Sequence, residues 1–376
     1  MTARTQRLTL ASLAAAALAL GATAQAQTPA PGAVYTSTNA TDGNQVAIYS
    51  RAVDGTATFD RFVDTGGLGS GGGLGNQGAV TLSDNGRWLY VVNAGSDSLS
   101  VFRVRGDGLE LVQTIGTVGT MPVSVAQHDR WVYVVNAGDD TIQGFRQRFN
   151  GTLLPLQGAY APLSNSATAP AQIGFSPDGS ALYVTEKATN VIDVYRLSAR
   201  GIPLQHDVLA SPGDTPFGFA FGQRDQLFVS EANGGADGLG TVSGFDLRRN
   251  GLLNPLQSSV ATGETATCWV VIEPSGRLMF VSNTASRTIS SFAVSFDGEM
   301  KLLDAQAANV GETPLDMALT RDGQFFYVLN AGSGTIGDYV VGADGSLVGI
   351  PGTAGGLPTS VRPAPTRWSA VRRPCR

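Results

Sequence analysis

The sequence predicts an all-β fold: a seven-bladed β-propeller of four-stranded antiparallel blades, its ring closed by the C-terminal strand. Three observations predict it. A strand led by an aromatic residue recurs seven times, at Tyr35, Tyr90, Tyr133, Tyr183, Phe228, Phe280 and Tyr327, with a spacing that suits one four-stranded blade plus its loops. A tight turn of the x-Gly type follows each copy, at Gly55, Gly108, Gly151, Gly201, Gly251, Gly298 and Gly345; six of these glycines are preceded by Asp or Asn and the fourth in order by Arg200, and such hairpins need a residue tolerant of positive φ. The chain is also low in charge, at 15%, and carries 48 glycines, a composition rich in turns.

The elements follow in chain order. Arg4 and Arg7 precede an apolar run from Leu8 to Ala22, and Ala24-Gln25-Ala26 offers a small-x-small cleavage site. Residues 1–26 therefore read as a secretory signal peptide, with a retained anchor as the alternative. Residues 27–33 are a short linker and 34–362 the propeller. Each repeat has an apolar lead-in strand, such as Gln172-Ile173-Gly174-Phe175, then the aromatic strand, then an alternating strand such as Thr288-Ile289-Ser290-Ser291-Phe292. The first repeat lacks the lead-in. Leu357-Pro358-Thr359-Ser360-Val361 reads like Met121-Pro122-Val123-Ser124-Val125, so the C-terminal strand is expected to supply it and remove two open sheet edges. Pro363 and Pro365 end that strand, and 363–376 is a basic tail expected to be disordered.

Loss of Arg4 and Arg7 takes the formal net charge from −5 to −7. An acidic surface argues against nucleic acid or anionic lipid as partner; the expectation is an exported monomer, periplasmic or secreted, without membrane insertion after cleavage, acting on a small-molecule ligand. Two cysteines, Cys268 and Cys375, cannot make a disulfide framework. They are able to pair, or Cys268 is a small buried hydrophobe.

In four repeats the aromatic strand runs into an Asn-containing turn, at Asn93, Asn136, Asn283 and Asn330. In two consecutive repeats the position is acidic: Glu186, followed by Lys187, and Glu231. Blade geometry places all these turns around one mouth of the central channel. Asn is a natural turn former; Glu gains little there, so Glu186, Lys187 and Glu231 are the candidate catalytic residues. Two carboxylates on one rim can divide acid and base roles, with Glu231 as base, Glu186 as orienter and Lys187 as an electrostatic clamp. Asn93, Asn136, Phe217, Trp269, Asn283 and Asn330 are candidate substrate contacts, Trp269 with a core role between blades as its alternative.

No cofactor is expected. His128 and His206 fall in different blades, so a metal site is not expected; a calcium site around Asp237 is conceivable. Gly73-Leu74-Gly75-Asn76-Gln77-Gly78 spells G-x-G-x-x-G, but no strand precedes it and a strand, not a helix, follows. It reads as a flexible link between the first two blades.

On the Tyr-Val-x-Asn turns, the x-Gly hairpins and the phrases Ser230-Glu231-Ala232-Asn233 and Thr267-Cys268-Trp269-Val270, residues 34–362 resemble the seven-bladed propeller lactonases. That family includes 6-phosphogluconolactonase and carboxy-cis,cis-muconate cyclase and shares YVTN-type repeats. The resemblance implies a lactonase-like activity on a small lactone or carboxylate at the central funnel. Resemblance to the cyclase branch would imply a site histidine, and neither His128 nor His206 matches the mouth. A phosphorylated sugar lactone would want several Arg or Lys contacts. The alternative is a non-catalytic propeller that binds a ligand, polymer or protein on its funnel face; a quinone-linked dehydrogenase is disfavoured by the absence of haem motifs.

Overall fold

A computed structural model describes residues 32–106, 108–248, 251–352 and 354–357. The signal peptide, most of the linker, the closing strand and the basic tail of the sequence reading lie outside these residues. Within them the chain forms seven antiparallel sheets in strict sequence order. They are blade 1 (32–64), blade 2 (80–116), blade 3 (122–162), blade 4 (170–210), blade 5 (216–261), blade 6 (267–309) and blade 7 (314–349). Blades 2 to 7 have four strands; blade 1 has three among the described residues. Among the described residues no helix is long and apolar enough to cross a membrane.

The recurrent aromatic strand is the second of each complete blade and is almost wholly buried, as in Trp88–Asn93, Ala181–Glu186 and Gln226–Glu231. Its side chains alternate between two faces, and each face packs on a different neighbour. Seven apolar clusters result, one for every pair of adjacent blades. The pair formed by blades 7 and 1 has its own, with Tyr327 and Phe325 against Tyr49 and Ala57. The ring therefore closes by packing.

The tyrosine of the repeat fastens one blade to the next. Tyr133 Oη donates to Gly201 O at 2.6 Å, Tyr183 to Gly251 O at 2.8 Å and Tyr327 to Gly55 O at 2.7 Å. Each acceptor is the hairpin glycine of the following blade. At Gly55 the reason for glycine is twofold: φ is +90° and an added Cβ would meet the Phe325 ring at 2.2 Å. The equivalent turns before Gly108 and Gly251 involve Asp107 and Asn250, which lie outside the described residues.

The link between blades 1 and 2 departs from expectation. Residues 73–78 are not a loose connector; they cross the propeller axis. Gln77 Nε2 donates to Val270 O at 2.9 Å and Gln77 Oε1 accepts from Val270 N at 3.2 Å, both in blade 6. Gln77 N bonds Ala171 O of blade 4, Val125 N of blade 3 bonds Gly78 O, and Gly78 N donates to Asp316 of blade 7. Trp269 Nε1 donates to Asn76 O at 2.7 Å. A backbone segment on the axis must satisfy its polar groups somewhere, and the surrounding innermost strands supply the partners. The innermost strand of blade 2 is correspondingly short, Val80–Leu82.

Candidate functional site

In blades 2, 4 and 5 the residue that ends the second strand hydrogen-bonds the link that enters that blade. Asn93 Oδ1 accepts from Thr65 Oγ1 at 2.7 Å, and its amide donates to Ser100 Oγ at 2.8 Å. Asn283 makes its bonds within its own blade, accepting from Thr267 Oγ1 on the first strand and donating to Ser290 Oγ on the third. Glycines of the link allow the approach: a Cβ on Gly67 would lie 2.5 Å from the Asn93 side chain, and one on Gly213 would lie 2.3 Å from Glu231. Asn136 and Asn330 are buried in the same place, hydrogen-bonded to Thr141 and Thr335.

The two acidic copies do the same work with different partners. Glu231 accepts from Gly213 N at 2.8 Å, Thr241 Oγ1 at 2.6 Å, Ser243 Oγ at 2.7 Å and Ser211 Oγ at 3.1 Å. Glu186 accepts from Ser164 N at 3.0 Å and Ser164 Oγ at 2.6 Å, and from Thr189 Oγ1. The links entering blades 4 and 5 thus present backbone N–H donors, which an acceptor-only carboxylate satisfies better than an amide. Both side chains have zero exposure. The rim placement expected for them is corrected: they lie under the links, not on the open mouth.

Blade 4 adds a feature that the sequence reading missed. Where other blades carry Ser100, Ser243 or Ser290 on the third strand, blade 4 carries Asp193, also fully buried. Asp193 accepts from Ser164 N at 3.3 Å and meets His206 Nε2 at 2.8 Å. The imidazole stacks on Tyr195 with ring centroids 4.3 Å apart. Burial first, then the neighbouring Asp193, push Glu186 up to about 7. His128 packs against Phe175, ring centroids 5.8 Å apart, away from this cluster.

Lys187 is separated from its neighbour by the alternation of the strand end. Its Nζ turns inward, donating to Gly75 O of the axial segment and to Pro170 O at 3.3 Å, and lies 4.9 Å from the centroid of the Phe217 ring. Burial of the ammonium pushes its pKa down to about 7. At the other end of the same stretch, Asp316 accepts from Gly78 N at 3.1 Å, and burial pushes its carboxyl up to about 6. Phe217 and Trp269 pack on each other at 4.8 Å and are buried. The axis therefore gathers Lys187, Asp316, Phe217 and Trp269, whereas Glu231 and the four asparagines are bonded to the links or to strands of their own blades. Asp316 carried no repeat anomaly that singled it out.

Cys268 is buried and is not a free thiol; Cys375 lies outside the described residues. Among the described residues no group of three His, Cys, Asp or Glu side chains fits a metal ion.

No curated protein matches the chain. Among solved structures, the periplasmic gluconolactonase PpgL of Pseudomonas aeruginosa has a TM-score of 0.69 at 19% identity, covering 87% of this chain and 96% of its own. A candidate 6-phosphogluconolactonase from Bacteroides uniformis gives 0.68 at 20%, covering 84% and 93%. Hydrazine synthase of Kuenenia stuttgartiensis gives 0.58 at 15%, covering 86% and 98%, so likeness at this level speaks for the fold alone. The family described as the seven-bladed β-propeller lactonases matches residues 43–165 and 239–349, more than half of the sequence, and the chain belongs to that family.

Proposed function

We propose that the protein is an exported hydrolase that opens a small lactone at the propeller axis. The observation that carries this reading is the inward-turned Lys187 ammonium, held against the axial segment of a lactonase-family propeller with its proton affinity lowered to near neutrality. Water adds to the lactone carbonyl carbon as the Asp316 carboxylate takes a proton from it. The ring C–O bond then breaks, and the Lys187 ammonium protonates the leaving alkoxide to give the open hydroxy acid. Groups that titrate near the working pH suit this exchange, and Asp316 at about 6 and Lys187 at about 7 meet that condition. Access requires residues 73–78 to yield; Gly72 and Gly73, with open space around them, are the joints.

The occupied axis favours a second reading, a binding scaffold that turns nothing over. Hydrolysis of a panel of sugar and aromatic lactones by the purified protein separates the two. The hydrolase reading expects turnover that falls at least ~100-fold in kcat/KM for Lys187→Met and for Asp316→Asn, an effect of the size seen for acid–base groups. Absence of turnover on every lactone, or equal rates in all three proteins, overturns it. Export is tested by fractionating cells: the proposal expects a periplasmic or secreted protein that has lost residues 1–26.

A further inference from the structure

We infer that the hairpin end of blades 2, 3 and 4 docks on a membrane of anionic phospholipid. Within a blade the turn joining the first two strands and the hairpin joining the last two lie at one end, because the strands are antiparallel. The links, and the turns that follow Asn93, Glu186 and Glu231, lie at the other. Charge is divided unequally between these ends.

Blade 2 brings Arg87, Arg103 and Arg105 to the hairpin end. Blade 3 brings Arg130, Arg146 and Arg148, and blade 4 brings Arg196 and Arg200. Glu110 pairs with Arg103 at 3.7 Å and with Arg105 at 3.1 Å. The other six form no ion pair among the described residues. The described carboxylates at this end of the three blades are Asp84, Glu110, Asp129 and Asp178, half as many as the arginines; counting Asp107 from the sequence leaves the sign unchanged. Asp178 is also engaged by its own turn, accepting from Ser176 Oγ at 2.7 Å and Ser180 N at 3.0 Å. In blades 5 to 7 the balance at this end is reversed. At the end of the links, Asp97, Asp139, Asp140, Asp214 and Glu312 face only Arg287 and the inward-turned Lys187 among the described residues. The acidic surface expected from composition is that end.

An apolar tip stands among the arginines. Phe149 is the second residue of the turn closed by Gly151 N and Arg148 O at 2.9 Å, and it is 108% exposed. Leu204, just past the blade 4 hairpin, is 72% exposed. The tips are held from below by the preceding blade. A Cβ on Gly151 would lie 2.2 Å from the Trp88 ring, one on Gly201 2.6 Å from the Trp131 ring, and Arg103 donates to Asn150 O at 3.0 Å. Tips ordered in advance lose little freedom on docking.

The chemistry selects the partner. Guanidinium groups chelate phosphate oxygens, and their attraction to an anionic bilayer adds to burial of apolar side chains at the headgroup boundary. Arginines spread over the protruding turns of three blades suit a planar array of phosphates better than one small anion. A soluble polyanion would engage the arginines and leave Phe149 in water. Docking in this sense turns the links and their mouth of the channel away from the membrane. The inference is independent of the reaction proposed above.

Co-sedimentation of the mature protein, residues 27–376, with lipid vesicles tests it. Binding is expected to vesicles of equal parts phosphatidylglycerol and phosphatidylcholine, and not to phosphatidylcholine alone. Raising salt from about 0.05 to about 0.5 M should weaken it at least ~10-fold by screening. Arg146→Gln combined with Arg148→Gln should weaken it at least ~10-fold, and Phe149→Ser at least ~3-fold. Arg224→Gln combined with Arg277→Gln, on blades 5 and 6, should leave it unchanged. No binding, or equal binding to both kinds of vesicle, overturns the inference. Binding that survives the Arg146 and Arg148 replacements assigns the attraction to the basic segment 363–376 and overturns it too. Preference for soluble polyglutamate over the vesicles, unaffected by Phe149→Ser, assigns the arginines to an acidic polymer and equally overturns it.

Discussion

Glu186 and Asp193 converge on one donor: the backbone N–H of Ser164 lies 3.0 Å from a Glu186 oxygen and 3.3 Å from an Asp193 oxygen. Two buried carboxylates this close repel, and the Asp193 carboxyl adds to burial in holding the Glu186 pKa up. Three residues contribute to one electrostatic problem here, because Asp193 also meets His206. One residue further along the chain, Lys187 poses the opposite problem at the axis.

The pH dependence of stability carries both signs. The folded-state pKa of Glu186 is raised from 4.5 to about 7, so the native state binds more protons than the unfolded state between those values and stability falls as pH rises through that window. The Lys187 pKa is lowered from 10.5 to about 7, so the unfolded state binds more protons above 7 and stability rises from there toward 10.5. A minimum near pH 7 is expected in the chemical-denaturation free energy. Glu186→Gln should flatten the acidic arm and Lys187→Met the basic arm.

Glu231 illustrates the cost of replacing an acceptor by an amide. In Glu231→Gln an N–H₂ group faces donors at Gly213, Thr241 and Ser243, leaving at least one of them unpaired. A loss of about 1–3 kcal/mol is expected, read as a lower urea midpoint with an unchanged m-value.

The fastening between blades 7 and 1 should be measurable at its two ends. Tyr327→Phe leaves Gly55 O without its 2.7 Å donor and should cost about 1–2 kcal/mol. Gly55→Ala should cost more, because its Cβ enters the Phe325 ring at a φ of +90°, combining overpacking with backbone strain. Thermal unfolding of both variants ranks them.

Gln77 spans the axis with two bonds to Val270. Gln77→Ala should therefore accelerate exchange of the Val270 amide and lower stability by about 1–3 kcal/mol. Little change in either would mean that residues 73–78 are held elsewhere.

The fold was legible because a propeller writes its unit repeatedly: the tyrosine strands and glycine hairpins recur with period and order, and each recurrence is a separate vote. The site was less legible. Glu186 and Glu231 stood out as departures from asparagine, and they are departures, but the reason lies in which backbone groups their links present. That choice is made by Ser164 and Gly213, distant in sequence from the repeat phrase. Asp193 and Asp316 sit in strands whose neighbours vary freely, so nothing marked them. Gly73–Gly78 looked like a linker because glycine-rich segments usually are; its axial path depends on partners in blades 3, 4, 6 and 7 that no local pattern announces. Lys187 is one of two lysines in the chain, and its inward turn was not foreseeable.

That rarity gives the most direct test. The chain contains two lysines, Lys187 and Lys301, so protein labelled with ¹³C at the lysine ε-carbon gives two signals, and Lys187→Met identifies them. The account predicts that the Lys187 signal shifts with a midpoint near pH 7. A Lys187 signal that does not move between pH 6 and 8 would contradict it.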